Sequence, residues 1–294
     1  MTPDLLLQQA ANGLMVGAVY ALIALGFTLV FGVAGVVNMA HPDLFMIGGV
    51  AAWVVTVPLH LPFMIAIVVG TLAAAAMGVV VEKVAIAPVA SGEILAPLIT
   101  TIGASIFIEN ATSNIFGSQA LFFPSSLPTA PVFVGPVRVT ELQIVVLLAS
   151  LAMAAGLFGL VNRTRLGRAI RATAENREVA EILGVDVRFV TVATVAIASA
   201  LGGAGGALVG QLYNGVYPLM GLDYGIKGLV VMIVGGVGSI EGAVLVGLAL
   251  GVVESLTATV WSSAYRDAIA FTLLILFLIF RPAGLFSRAK VERA

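Results

Sequence analysis

The stretch RTRLGRAIRATAENREVAEILGVDVR, residues 163–188, is the one long charged interval between the apolar segments of this chain. It holds six arginines and four acidic residues. The segments before and after it are long, apolar and rich in glycine. Because lipid solvates such segments and water solvates charged ones, the interval predicts a connection between membrane helices that lies outside the bilayer.

The composition of the whole chain is that of a membrane protein. Of its 294 residues, 60% are hydrophobic and only 10% are charged, with a mean hydropathy of +1.13. A soluble domain carries about 25% charged residues. The net charge of −1 favours no nucleic-acid partner. We therefore predict an all-α fold, a polytopic transmembrane helical bundle formed by residues 1–294 as a single transmembrane domain in contact with membrane lipid.

Nine apolar segments are candidates for membrane helices. A hydrocarbon core of ~30 Å requires about 20 apolar residues in a helix. The second and seventh segments are short for a full crossing, and the first is long enough to contain a break. We expect about eight to ten helices, with broken or re-entrant segments among them. The segments are residues 10–36, 42–57, 62–83, 93–117, 140–161, 187–213, 225–240, 242–261 and 265–281.

The distribution of lysine and arginine predicts the orientation. Of the 14 basic residues, six lie in 163–188 and four lie in the C-terminal tail. Basic loops stay in the cytoplasm, so we predict that both regions are cytoplasmic. The stretch 118–139 has Arg138 as its single basic residue and is rich in proline and serine, which predicts an external loop. The N-terminus is then outside if all nine segments cross, and inside if one is re-entrant.

Small residues recur every four positions in three of the segments. Such stripes let helix backbones approach closely in lipid. We expect them to pack helices within one subunit, with contacts between subunits as the alternative. The stripes are Ala198, Gly202, Gly206 and Gly210; Ala243, Gly247 and Gly251; and Gly70, Ala74 and Gly78.

No motif for catalysis or for a cofactor is present. GGVGS at 235–239 lacks the lysine and Ser/Thr that complete a nucleotide-binding loop. The absence of cysteine excludes disulfides and thiolate metal sites, and two histidines do not suffice for a multi-histidine metal site. We predict that this chain is not an enzyme and carries no cofactor.

The break after the first apolar segment is a first candidate for the translocation path. It supplies Asn38, His41 and Asp43, and Pro42 helps to interrupt the helix because it lacks a backbone donor. Polar groups within a membrane are costly and are candidates for function. These side chains either contact substrate or hold the break closed through mutual hydrogen bonds.

The fourth segment is a second candidate. Thr101, Ser105 and Glu109 share one helical face. This polar stripe either lines the path or forms a buried hydrogen-bond network between helices. Elsewhere, Asp223 and Lys227 are four residues apart and predict a local interfacial ion pair.

Within 163–188 the sequence predicts one helix from about Arg168 to Leu183, ending at Gly184. A modest apolar side suits a groove on a partner protein, whereas a simple solvated connector would need no ordered helix. Two pairs of opposite charge at i, i+4 spacing support the helix. They are Arg171 with Glu175 and Arg177 with Glu181.

Several motifs resemble those of one family. GLMVGAVYALIALGFTLVFGVAGVVNMAHPDLFMIGG (13–49) resembles the N-terminal signature of branched-chain amino-acid ABC transporter permeases of the LivH type. TRLGRAIRATAENREVAEILGV (164–185) is similar to that family's cytoplasmic coupling segment. GGVGSIEGAVLVGLALGVVE (235–254) and RPAGLF (281–286) match its C-terminal part. The resemblance runs over most of residues 5–286.

The resemblance implies a subunit of an importer in the bacterial inner membrane. Its expected partners are a second, similar but nonidentical permease, two cytoplasmic ATP-binding subunits that hold ATP and Mg, and a periplasmic solute-binding protein. The coupling segment is expected to dock into a groove on the ATPase. The residues that match it are Gly167, Arg168, Arg171, Ala172, Glu175, Asn176, Ala180 and Gly184. The full EAA pattern of other importer classes is absent, so their shared architecture is not assigned.

The resemblance implies branched-chain amino acids as substrates. Other amino acids, urea and short amides are alternatives, because related permeases carry them. A different class, an ion-coupled secondary transporter or channel, would use Glu109, His41 with Asp43, or Glu254 as ion sites. The 163–188 loop discriminates between the classes, since a secondary carrier needs no docking helix.

Overall fold

The computed structural model describes residues 2–89, 95–125, 131–260, 262–281 and 284–286. Within these ranges the chain forms a bundle of eleven α-helices with four short strands. The helices are α1 Pro3–Ala34, α2 His41–Thr56, α3 Phe63–Val81, α4 Leu95–Phe116, α5 Glu141–Arg163, α6 Arg165–Glu175, α7 Arg177–Ile182, α8 Val187–Leu212, α9 Met220–Gly235, α10 Ile240–Val260 and α11 Arg266–Phe280. The strands are β1 Leu121–Phe122, β2 Pro131–Val134, β3 Val137–Thr140 and β4 Gly215–Val216.

The predicted helical membrane bundle is confirmed. Each of the nine apolar segments contains a helix, namely α1 to α5 and α8 to α11. Six helices in the described ranges are long and apolar enough to cross a membrane: α1, α3 with its π- and 3₁₀-helical continuation to Val89, α4, α5, α8 and α10. As expected, the second and seventh segments are short, since α2 and α9 have 16 residues each.

Helix α1 forms the centre of the bundle. Its apolar span is 83% buried, and it contacts α5, α8, α9 and α10. A helix that is apolar on all sides suits such a position. The spans of α3, α4 and α5 are only 22–28% buried and lie at the periphery.

Small residues join the central helices, as predicted. Where α1 crosses α10, a Cβ atom added to Gly17 would lie 2.5 Å from the carbonyl oxygen of Gly247. Where α2 meets α3, a Cβ atom on Gly70 would lie 2.5 Å from the carbonyl oxygen of Gly48. Gly206 of α8 likewise lies against the backbone of α2. The stripes therefore pack helices within this subunit, because only a missing Cβ permits such close approach.

The segment between α1 and α2 turns back into the bundle. Gly35 ends α1 with φ +69°, and the side-chain oxygen of Asn38 accepts a hydrogen bond of 3.0 Å from the amide of Ala40. Helix α2 then begins beside the last third of α1, where the ring of His41 packs on Phe27. The break thus lies inside the bundle, with Asn38 and His41 buried, and α2 returns toward the side from which α1 came.

The two ends of the bundle differ. We call the end with α6 and α7 the inner end and the opposite end the outer end. At the outer end β2 and β3 form an antiparallel hairpin, and β1 pairs with β4. Gln8 Nε2 donates a hydrogen bond of 2.8 Å to the carbonyl oxygen of Arg138. The N-terminus and the described part of 118–139 are therefore both at the outer end. Residues 126–130 of the predicted external loop and 287–294 of the predicted cytoplasmic tail are outside the described ranges.

The prediction of one helix from Arg168 to Leu183 is wrong, because the chain forms α6 and α7 with a break at Asn176. The Asn176 side chain accepts a 3.0 Å hydrogen bond from the amide of Val179 and so caps α7. Asparagine prefers such a cap to a helix interior. The predicted i, i+4 ion pairs do not form among the described residues, and Arg171 Nη1 instead donates to the carbonyl of Val161.

Candidate functional site

The inner end carries α6, α7 and the turn after α7, residues 165–184, which we call the inner unit. Ile170 of α6 packs with Val33 of α1 and Val190 of α8. Gly167 is buried against the carbonyl groups of Leu160 and Val161 at the end of α5. A displacement of α6 therefore acts directly on three membrane helices.

The predicted coupling residues divide between two sides of the inner unit. The buried group faces the membrane helices and holds the unit in place, as does Arg171 through its bond to the carbonyl of Val161, whereas the other exposed residues are available to a partner. Gly167 and Ala180 are buried and Ala172 is half-buried; Arg168, Arg171, Glu175, Asn176 and Gly184 are exposed.

An exposed apolar surface covers the outward side of α7 and its C-terminal end. Val179 is 48% exposed, Ile182 is 83% exposed and Leu183 is 76% exposed. Gly184, at φ +84°, ends this surface. We call these three side chains the α7 apolar surface. The apolar side predicted from the sequence comprised Ala169, Ala172, Val179, Ala180 and Leu183. Of these, Val179 and Leu183 are exposed and Ala180 is buried. The sequence analysis missed Ile182, although its i+3 spacing from Val179 was a usable signal.

The structure brings most of the predicted path residues together between the break and α4. The backbone amide of Met39, next to Asn38, donates a hydrogen bond of 3.2 Å to Thr101 Oγ1. The Asp43 carboxyl lies near the Ser105 hydroxyl and the Glu109 carboxyl, and its Oδ2 atom has no hydrogen-bond partner among the described residues. Asn38, Asp43 and Thr101 are buried, and Ser105 and Glu109 are half-buried. We call these five residues the break cluster.

His41 does not join the break cluster. Its ring is fully buried on another side of α2, edge-on to Phe27 with ring centroids 4.8 Å apart. The ring also lies against Gly26 of α1 and Gly202 of α8. The observed contacts of His41 are thus contacts between helices.

A cavity of about 650 Å³ lies in the outer half of the bundle. Helices α1, α5, α8, α9, α10 and α11 contribute to its wall. At its centre Lys227 Nζ lies 3.2 Å from Glu254 Oε2 and 3.3 Å from Asp267 Oδ1. The Tyr20 hydroxyl donates a hydrogen bond of 2.8 Å to Glu254 Oε2. It accepts a hydrogen bond of 3.2 Å from Lys227 Nζ. We call these four residues the Lys227 cluster.

The predicted ion pair between Asp223 and Lys227 is wrong. Lys227 instead bonds to Glu254, because a buried carboxylate needs a counter-charge more than an exposed one does. Asp223 accepts a 2.7 Å hydrogen bond from the Tyr217 hydroxyl. Burial and the adjacent Asp223 carboxylate raise the pKa of Tyr217 above its ordinary value, so this phenol stays a donor.

In the described ranges no group of three or more His, Cys, Asp or Glu side chains could hold a metal ion. The break cluster and the Lys227 cluster are two polar sites within the bundle. Both offer hydrogen-bonding groups and charge within an otherwise apolar bundle, which suits passage or binding of a small polar solute.

The comparisons with known proteins give one family. Residues 9–278 match the family model described as branched-chain amino acid transport system / permease component. The chain is 38% identical over 299 residues to the high-affinity branched-chain amino acid transport system permease protein BraD of Pseudomonas aeruginosa, with 98% of this chain and 97% of that protein covered. It is 35% identical over 304 residues to the permease protein LivH of Escherichia coli (strain K12), with the same coverage. This chain, a multi-pass helical membrane protein, therefore belongs to the permease-component family of branched-chain amino acid transport systems.

Proposed function

We propose that this chain is a permease subunit of a bacterial ABC importer for branched-chain amino acids, and that its inner unit receives the motion of cytoplasmic ATPases. The observation that carries the proposal is the α7 apolar surface, which belongs to a unit held on α1, α5 and α8. A cluster of exposed apolar side chains outside the membrane helices is typical of a docking surface for a protein partner. The relatives BraD and LivH are named for high-affinity transport of these amino acids.

The inner unit explains how the chain could use ATP that it does not itself bind. Motion of a partner groove around α7 would pass through the break at Asn176 to α6, and from Ile170 to α1 and α8. Helix α1 contributes to both polar sites, because it ends at the break and its outer half lines the cavity. In this mechanism the inner end is cytoplasmic, ATP and Mg are bound by the partners, and this chain performs no catalysis.

Helix α4 supports the proposal of a second permease subunit. It is the least apolar of the six long spans, with a hydropathy of 1.2, and also the least buried, at 22%. A helix facing lipid should show the opposite combination. Its exposed Asn110 and Asn114 each use one N–H to bond back to their own helix, and their other polar atoms need partners that lipid cannot supply. We place the second permease against this face.

Photo-crosslinking tests the placement of the second permease. The chain has no cysteine, so Asn110→Cys creates a unique attachment point for a benzophenone maleimide. We expect crosslinks to the second permease from this position. Leu72→Cys on α3, where the leucine is 63% exposed, is the control and should label lipid. Equal crosslinking from both positions would contradict the assignment of α4.

Reconstitution tests the function itself. The permease pair, the ATPases and the binding protein are incorporated in vesicles, and uptake of leucine, isoleucine, valine and urea is measured. We expect uptake of the three amino acids that requires both ATP and the binding protein. Uptake of urea alone would shift the substrate to small amides.

The buried carboxyl groups Asp43 and Glu254 are the observation that favours the alternative of an ion-coupled carrier. Uptake that continues without ATPases or ATP and collapses with an ionophore would establish that alternative and refute the importer.

A further inference from the structure

The Lys227 cluster carries a charge that its own side chains do not balance. A lysine ammonium has three N–H donors, and the three acceptors of Lys227 are Glu254 Oε2, Asp267 Oδ1 and the Tyr20 hydroxyl. All of its donors are thus engaged. Two carboxylates face one ammonium, which leaves a formal charge of −1 on the cluster.

The unbalanced charge is shared by two carboxylates of the cavity wall that differ in accessibility. Glu254 is 3% exposed, and its Oε1 atom has no hydrogen-bond donor among the described residues. Such a buried oxygen costs free energy until it receives a donor. Asp267 is the accessible partner, with its side chain 72% exposed. A second cationic group beside Lys227, reached through the exposed Asp267, would balance the charge of the two carboxylates.

The rest of the cavity wall contains both charged and apolar side chains. Arg266 contributes a guanidinium group and Asp223 a further carboxylate, while Met15, Val16, Val230 and Phe271 contribute apolar side chains. The volume of about 650 Å³ lies in the ordinary range of ligand pockets, ~300–1,000 Å³. A site that binds an aliphatic amino acid must provide acceptors for its ammonium group, donors for its carboxylate and an apolar wall for its side chain.

We propose that the cavity binds the zwitterion of an aliphatic α-amino acid inside the permease. Glu254 and Asp267 hold the ammonium group, Arg266 faces the carboxylate, and the apolar wall receives the side chain. The inference rests on the proposed function and adds to it a binding step after release from the binding protein. Lys227 is a positioning residue, because it holds the two carboxylates beside each other.

Equilibrium binding of radiolabelled leucine to the full transporter complex in nanodiscs, without the binding protein, tests this site. We expect Glu254→Gln and Asp267→Asn each to weaken binding at least tenfold. Glutamine keeps an oxygen for Tyr20 and Lys227 but lacks the charge, and the exposed Asp267 can be changed without disturbing the fold. Glu241→Gln, an exposed acid on the same helix α10, is the matched control and should bind leucine like the wild type.

Two leucine analogues separate the groups that the site recognises. We expect 3-methylbutylamine, which lacks the carboxylate, to compete with leucine in the wild type and to lose this ability in Glu254→Gln. We expect no competition from 4-methylpentanoate, which lacks the ammonium group. Competition by 4-methylpentanoate equal to that of unlabelled leucine would overturn the assignment of the ammonium site.

The binding and transport measurements are read separately. Suppose that vesicles import leucine with ATP and the binding protein. If the wild-type complex alone then binds no leucine, or if Glu254→Gln and Asp267→Asn both bind leucine like the wild type, the internal site is refuted and the importer remains. If Glu254-dependent binding is found but ATP drives no leucine uptake, the proposed function is refuted and the site remains.

Discussion

Replacing Ile182 with alanine tests whether the α7 apolar surface docks an ATPase. The side chain is 83% exposed in this subunit, so almost all of its apolar surface is available for burial by a partner. The substitution removes three carbon atoms, each worth about 0.8 kcal/mol on full burial. Scaled by the exposed fraction, the loss is roughly 2 kcal/mol, which corresponds to a Kd about 30-fold higher.

Biolayer interferometry between the purified permease pair and the ATPase measures this Kd. The stability of the permease itself should not change, because Ile182 contributes little to its core. Leu59→Ala is the control, since Leu59 is 58% exposed in the loop between α2 and α3 at the outer end. We expect the control to bind the ATPase with wild-type affinity.

The refuting result is equally specific. If Ile182→Ala and Leu59→Ala both bind the ATPase like the wild type, α7 does not dock by its apolar surface, and the coupling role of the inner unit fails. If both variants lose affinity to the same degree, the effect reflects loss of apolar surface in general and the assignment to α7 also fails.

Three further perturbations test the packing on which these sites depend. Gly17→Ala should destabilise the bundle by about 1–3 kcal/mol, because its Cβ would lie 2.5 Å from a carbonyl oxygen of α10. Gly32→Ala on the same helix meets nothing within 4 Å and should stabilise the bundle by about 0.5–1 kcal/mol. Unfolding in SDS, followed by circular dichroism, compares the two variants, and equal effects would contradict the crossing of α1 and α10. Asn176→Ala removes the cap of α7 and should destabilise that helix by about 1 kcal/mol. The α7 amides should then exchange hydrogen faster than in the wild type, and Asn176→Asp should return the exchange rate to the wild-type value. Thr101→Val removes the acceptor of the Met39 amide and should cost about 1 kcal/mol; unchanged exchange at Met39 would show that the bond does not hold the break.

The apolar periodicity of the chain was sufficient to predict the helices. All nine segments were found because a bilayer imposes a length and a hydropathy on any helix that crosses it, and these are properties of the local sequence. The stripe of Ala243, Gly247 and Gly251 was equally readable, since close backbone approach requires a missing Cβ wherever it occurs. Its partners on α1, Gly13 and Gly17, were not predicted. The break at Asn176 was missed because charge pairs at helical spacing were given more weight than the capping preference of asparagine.

The sequence by itself determined the membrane class, the short second and seventh helices, the charged inner unit and the family. These follow from local composition and motif order. Only the tertiary structure decided the partners of the charged side chains: Lys227 bonds to Glu254 and Asp267 rather than to Asp223, and Asp43 faces Ser105 and Glu109 while His41 turns away. The physical reason is that a buried charge selects the partner that packing brings within about 4 Å. That choice depends on how helices far apart in the chain cross, which no local pattern records.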